Sequence, residues 1–297
     1  MIRFLILGGS GYLGSRVTQL LPNSYGTFFS KSYYINQNMI FFDGSDPNEF
    51  QLIVERIKPD VVINCIGFTD VDLCDELPEK CWKLNASYPF YYAEVCNKYD
   101  IKFIQISTDH YYNSSGLRLQ EKDYCEAINF YGFSKLFAER IILEVNPCAL
   151  IARTNFFHFN FQTPVTFLDN LIIKSEIEQN SFSFSDVIFT PISTNTLVQS
   201  LYRLIELDQC GVINISGSEA LSKFEFHEKV LEVLGLSTKL HYPISVDKTL
   251  LSAPRPKYMA LDNKNFESIL NYKIPSIYAM IKAEVAFAKK KVGSGVS

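Results

Sequence analysis

The 297-residue chain has no excess of basic charge: 28 Lys and Arg stand against 32 Asp and Glu, a formal net charge of −4. Without that excess nothing tracks a phosphate backbone, which argues against nucleic acid as the partner. No apolar run approaches the roughly 20 residues that span a bilayer. The segment Met1–Leu7 runs straight into glycines without the shape of a cleavable leader. A cytoplasmic protein without membrane contact is expected. Cys-x-x-Cys is missing among Cys65, Cys74, Cys81, Cys96, Cys125, Cys148 and Cys210, and His110, His158, His227 and His241 never meet metal-ligand spacing. The cysteines therefore read as reduced thiols, and no metal site is expected. Internal repeats and low-complexity tracts are absent too. With 47% hydrophobic and 20% charged residues, disorder is excluded. At about 150 residues per domain, the length implies two domains or one large unit with a lobe.

What is present is an alternation. Short apolar runs at Ile2–Leu7, Tyr25–Ser30, Met39–Phe42, Asp60–Cys65, Ile101–Ser107 and Cys148–Arg153 read as strands. Between them, Gly11–Leu21, Asn48–Lys58, a long Pro78–Tyr99 and Phe130–Val145 read as helices. Fully apolar strands alternating with helices predict an α/β fold, a doubly wound parallel sheet covered on both faces. Ligands of such sheets lie at the carboxyl ends of the strands. After Arg153 the rhythm fails: Asn155–Val187 is rich in Phe, Asn, Ser and Gln. Thr194–Leu207 and Val212–Ile215 resume a helix–strand pair, Ser222–Leu234 is helical, and Ile277–Lys291 is the last helix. The expected division is a dinucleotide-binding unit of Rossmann type over 1–155 plus about 190–220. A smaller C-terminal substrate-binding lobe would take 156–189 plus 221–297.

Gly8-Gly9-Ser10-Gly11-Tyr12-Leu13-Gly14 links the first strand to the first helix with the spacing G-x-x-G-x-x-G. Glycines there permit a tight turn and close approach of backbone to a pyrophosphate, and the helix N-terminus attracts the anion. The second strand ends in Phe28-Phe29-Ser30-Lys31-Ser32, without the carboxylate that binds the ribose hydroxyls of NAD. Ser30 and Lys31 thus favour NADPH, with NADH the alternative. Asp43, after the third strand, suits an adenine contact with either.

The fifth strand ends in Ser107-Thr108-Asp109, and Tyr131 and Lys135 follow at i,i+4 on a helix, so both project from one face. Reducing a carbonyl requires a proton donor at oxygen while hydride arrives at carbon. Tyr131 would be that donor, Thr108 would hold the oxygen, and the ammonium of Lys135 would lower the tyrosine pKa and anchor a ribose.

The ordered set GGSGYLG, DVVINCIGFTDVDLCDE, LNAS, ISTDHYYN, NFYGFSKLFAE, ARTNFF and RPKYMALD resembles the extended short-chain dehydrogenase/reductases. More narrowly it resembles the dTDP-4-dehydrorhamnose reductases, over nearly the whole chain. The resemblance implies Thr108, Tyr131 and Lys135 as a triad. It places the cofactor against Gly8, Ser10, Gly11, Tyr12, Leu13, Gly14, Asp43, Ile66, Gly67, Thr69 and Asn85. Substrate would meet Asp109, His110, Asn155, Phe156 and Arg255, the last through a diphosphate. The chain departs from the family pattern where His110 replaces a usual Tyr, Phe156 a common Trp, and Asp186-Val-Ile-Phe-Thr-Pro-Ile a Gln- and Gly-containing stretch. Cofactor and triad elements hold while sugar-facing ones drift. The implied activity is reduction of the 4-keto group of a nucleotide-activated deoxysugar, not restricted to dehydrorhamnose, and a homodimer is the assembly considered. Two alternatives stay open. One is an epimerase or dehydratase of the same superfamily, against which Asp109 without a following Glu argues. The other is a non-catalytic NADP-binding regulatory subunit such as the β subunit of methionine adenosyltransferase.

Overall fold

The computed structural model describes residues 1–29, 38–111, 116–159 and 167–294. Five strands and their helices alternate in the first part of the chain. They are β1 (Phe4–Leu7), α1 (Tyr12–Leu20), β2 (Ser24–Phe28), β3 (Met39–Phe41), α2 (Pro47–Ile57), β4 (Val61–Asn64), α3 (Val71–Glu76), α4 (Pro78–Trp82), α5 (Tyr88–Lys98) and β5 (Lys102–Ile106). Next come α6 (Phe130–Val145), β6 (Leu150–Arg153), β7 (Phe156–Phe157), α7 (Phe167–Glu176), β8 (Ser181–Phe184), β9 (Ile188–Phe189), β10 (Ile192–Ser193), α8 (Thr194–Glu206) and β11 (Gly211–Asn214). The chain closes with β12 (Leu221–Ser222), α9 (Lys223–Leu234), β13 (His241–Ile244), α10 (Lys264–Leu270) and α11 (Ile277–Ser294).

Seven strands form one parallel sheet in the order β11-β6-β5-β4-β1-β2-β3. This is the expected α/β, doubly wound arrangement, and the order reverses between β1 and β4. Both faces are covered, which is why the strands read as unbroken apolar runs. Phe4, Ile6, Ile63 and Ile104 face a core shared with Val17, Leu201 and Ile281. Leu5, Leu7, Val62 and Phe103 face the other, with Phe50, Tyr92 and Ile142.

The helix expected over Pro78–Tyr99 is interrupted: Lys83–Ser87 form a π-helical turn between α4 and α5. Pro89 sits in the first turn of α5. Its missing N–H and its ring are incompatible with an α-helical bond to the carbonyl of Asn85, four residues back. The stretch that looked irregular, Asn155–Val187, contains β7, α7 and β8. Strand β8 was hidden because its buried face is polar: Ser181 and Ser183 point inward, bonded to His241 Nδ1 (2.8 Å) and His227 Nδ1 (2.6 Å). It pairs in parallel with β13, β7 pairs with β10, and β9 is antiparallel to β12. All seven cysteines are free; Cys74, Cys81, Cys96 and Cys125 are buried, while Cys148 and Cys210 are exposed. Among the described residues no helix is long and apolar enough to cross a membrane.

Candidate active site

The carboxyl ends of β1, β4, β5 and β6 open onto a cavity of about 480 Å³. Its walls include Gly11, Tyr12, Leu13, Ile66, Gly67, Thr69, Thr108, Asp109, His110, Tyr131, Lys135, Asn155 and Phe156, all of them residues expected at the site. The sequence reading did not single out Cys65, Val71, Ile106, Ser107 and Thr154, which also line it.

At one end stands the glycine loop. Gly8 has a left-handed φ of +71°, and a Cβ on Gly14 would lie 2.1 Å from the Gly8 carbonyl oxygen. Helix and loop therefore meet backbone to backbone. The N-cap of α1 is Gly11, with no side-chain cap and no acidic residue in the first turn. That leaves the helix N-terminus without an internal anion, the condition for an external pyrophosphate. The glycine cradle fits a dinucleotide.

At the other end lie Thr108, Tyr131 and Lys135. Asn129 caps α6 by accepting from Gly132 N (2.8 Å), and so sets the turn that carries Tyr131. Tyr131 and Thr108 line the same cavity, and the Thr108 hydroxyl is near enough to the phenol to act on its pKa. Lys135, 6% exposed, donates from Nζ to the Ile106 carbonyl at 2.7 Å. Burial pulls its pKa down to about 8, against the opposing pull of Glu139, Cys65 and Cys81. The expectation that Lys135 lowers the Tyr131 pKa is not met in this structure. Burial dominates and lifts the phenol above its ordinary value, with Thr108 offsetting part of the rise.

Next to the triad, burial raises Asp109 to about 6 although Lys223 and the Asn155 side chain (2.8 Å) stabilise its charge. His110 accepts at Nε2 from Asn129 Nδ2 (2.9 Å) and stands edge-on to Tyr131 with ring centroids 5.5 Å apart. Burial, then Arg255 and Lys223, push it down to about 3, so it is a neutral imidazole. Tyr12 stacks on His158 at 3.8 Å and donates its hydroxyl to the His158 carbonyl at 2.7 Å.

Several expected residues stand outside the cavity wall. Asn85 is fully buried in the π-helical turn and staples the loop between β4 and α3, accepting from Phe68 N (2.8 Å) and donating to Phe68 O (3.0 Å). Asp43 accepts from the Ser45 N–H and hydroxyl, both at 2.7 Å. Arg255 reaches Asp72 with both Nη1 (3.2 Å) and Nη2 (2.8 Å), so its fork is filled by a carboxylate of α3. Gly8, Ser10 and Gly14 shape the loop behind the wall. Ser30 and Lys31 lie outside the described residues, so the NADPH preference read there has no structural counterpart.

A second cavity of about 350 Å³ shares Tyr12, Asn155 and Phe156 with the first. Phe157, Phe182, Phe184, Phe189 and Phe226 line it, with Lys223 as its cation. The Lys223 ammonium lies 3.5 Å from the Phe189 ring centroid, and burial lowers its pKa to about 8. Sequence reasoning missed this lysine. The available signal was the capping box Ser222-x-x-Glu225, which fixes Lys223 in the first turn of α9.

The RmlD substrate binding domain model matches residues 2–288. A probable low-salt glycan biosynthesis reductase Agl14 of Haloferax volcanii is 28% identical over 95% of this chain and 97% of its own. Among solved structures, a dTDP-4-dehydrorhamnose reductase of Bacillus anthracis in complex with NADP superposes with a TM-score of 0.86. It is 21% identical, over 96% of this chain and 99% of that one. A hypothetical dTDP-4-dehydrorhamnose reductase of Sulfolobus tokodaii superposes with a TM-score of 0.80 at 28% identity, over 93% and 98% of the two chains. The glycine cradle, the Rossmann-type sheet and a family match from end to end agree with the resemblance carried by the sequence motifs: the chain belongs to the RmlD substrate binding domain family, within the extended short-chain dehydrogenase/reductases.

Proposed function

We propose that the protein is an NADPH-dependent reductase of the 4-keto group of a nucleotide-activated deoxysugar. The observation that carries this reading is that Thr108, Tyr131 and the buried Lys135 line one cavity whose far wall is an uncapped glycine-loop helix. The cofactor, when bound, supplies the hydride. The Gly8–Gly14 loop would hold its pyrophosphate and Lys135 its ribose.

The side chains account for the proton. A phenol raised by burial is protonated at neutral pH, which is the state a general acid needs. Thr108 holds the substrate oxygen beside that phenol. As Tyr131 gives up its proton the resulting phenolate is stabilised by Thr108. The aromatic cavity beside the triad, with Lys223 in its wall, is the place for the nucleotide half of the substrate, in the lobe formed by 156–189 and 221–297. Asp109, His110, Asn155 and Phe156 stand between the two and would contact the sugar.

The test is NADPH consumption with dTDP-4-keto-6-deoxyhexoses, comparing wild type with Tyr131→Phe. The variant is expected to lose about 10²–10⁴-fold in kcat while binding NADPH unchanged. Tight NADPH binding without consumption across a wide panel of keto sugars would overturn the reading. A homodimer belongs to the same proposal. Phe133 (47% exposed) and Phe137 (36%) pack beside Trp82 as an apolar band on α4 and α6. Sedimentation as a monomer at micromolar concentration would refute it.

A further inference from the structure

We propose that Glu139 is a positioning residue for this chemistry: its carboxylate keeps Lys135 cationic and locks the β5 end that bears Thr108 onto α6, which bears Tyr131. The proposal rests on the reductase reading above and goes beyond the triad. Tyr131, Lys135 and Glu139 follow at i, i+4 and i+8, one face of α6. Glu139 is 2% exposed, yet no lone-pair direction is idle. Oε1 accepts from Ser107 Oγ (2.6 Å), Tyr111 OH (2.7 Å) and Arg153 Nε (3.1 Å). Oε2 accepts from Arg153 Nη2 (2.6 Å) and Nε (3.0 Å).

The strand end is therefore tied to the helix at two successive residues. Lys135 holds the Ile106 carbonyl, Glu139 holds the Ser107 hydroxyl, and Thr108 comes next. Arg153, at the end of β6, brings the neighbouring strand into the same knot. A saturated carboxylate has no hydrogen bond left for Lys135, so its action on the ammonium is through space. The groups that face Lys135 are Glu139 from α6, Cys65 beyond β4 and Cys81 from α4, and Glu139 acts most strongly in opposing its burial. A lysine so deeply buried needs such a neighbour to stay charged near neutral pH.

The experiment reads the lysine directly. In protein labelled with ¹⁵N-lysine, the Nζ resonance of Lys135, assigned through Lys135→Arg, is titrated by NMR in wild type, Glu139→Gln and Glu139→Asp. Wild type is expected to titrate at about 8. Glu139→Gln should fall by about one pH unit or more, because an opposite charge facing a buried ammonium one turn away on the same helix is worth about that much. Glu139→Asp, which keeps the charge, should stay near wild type. If Glu139→Gln fails to fold with Arg153 left alone, Glu139→Gln/Arg153→Met removes both charges and should show the same fall. In turnover, the alkaline limb of the kcat profile should move to lower pH along with the lysine. A Lys135 titration unchanged in a folded variant lacking the Glu139 charge overturns the proposal. Absence of turnover in wild type would sink the reductase reading instead, and leaves the NMR titration to decide this one.

Discussion

Asp109 lies between the triad and the aromatic cavity, 2% exposed, and its environment makes a prediction about stability as well as binding. Burial raises its carboxyl from 3.8 to about 6. The folded protein thus holds this proton to higher pH than the unfolded chain does. Its favourable contribution is complete below about pH 4 and disappears as pH rises through about 6. At 1.36 kcal/mol per unit, a shift of about two units makes the ionised group destabilising by about 3 kcal/mol at neutral pH and above. Asp109→Asn removes that cost, and its side-chain oxygen can still accept from Asn155. Part of the gain is returned, because Asp109 is the group that supports the charge on Lys223. The net expectation is a stabilisation of about 1–2 kcal/mol at pH 7–8 that vanishes near pH 4. Urea denaturation at several pH values measures it. If the variant tracks wild type at every pH, or is less stable at pH 8, the burial argument is wrong. If Asp109 also contacts the sugar, the stabilised variant should bind substrate more weakly, the usual exchange of stability for function.

Other expectations follow from single contacts. Gly14→Ala places a methyl 2.1 Å from the Gly8 carbonyl oxygen, so the loop must move; NADPH affinity, read by fluorescence titration, should fall at least about tenfold, a loss of about 1.4 kcal/mol. Gly235→Ala, at a left-handed helix C-cap with nothing within 4 Å of the added carbon, should cost about 1 kcal/mol in denaturation and leave NADPH binding alone. Glu284 is fully buried against Arg16 (3.3 Å) and the Asn195 N–H (2.8 Å), so Glu284→Ala should cost about 3–5 kcal/mol, measured by urea denaturation. Ser222→Ala removes the capping box of α9 and should cost about 1 kcal/mol, with Lys223 displaced enough to raise KM.

What the sequence made legible was whatever is local and periodic. Phe130–Val145 was bounded correctly because Asn129 is a cap and the helical pattern stops with Val145. The sheet was visible because each strand is buried on both faces, and the glycine loop because its geometry admits few other residues. Polar contacts that close over long separations were not legible. Asp72 and Arg255 are 183 residues apart, and nothing in either neighbourhood announces that one fills the fork of the other. Strand β8 escaped because periodicity rules assume an apolar core face, whereas Ser181 and Ser183 turn inward to histidines and the phenylalanines turn toward a cavity.

The same distinction explains why Thr108, Tyr131 and Lys135 could be singled out from the sequence and Glu139 could not. Tyr131 and Lys135 are recognisable as a spacing on one helix, and Thr108 as a strand end. Glu139 continues that helix face, but a glutamate four residues after a lysine reads as an ordinary surface pair. Only the crossing of α6 over β5 and β6 buries it and delivers Ser107, Tyr111 and Arg153 to its oxygens. Once buried, the carboxylate has to be satisfied, because losing one partner of such a knot leaves a charge that the interior cannot solvate. The contacts that keep the core intact therefore also tie the strand end just before Thr108 to the helix that bears Tyr131, so packing and the proposed chemistry share one side chain.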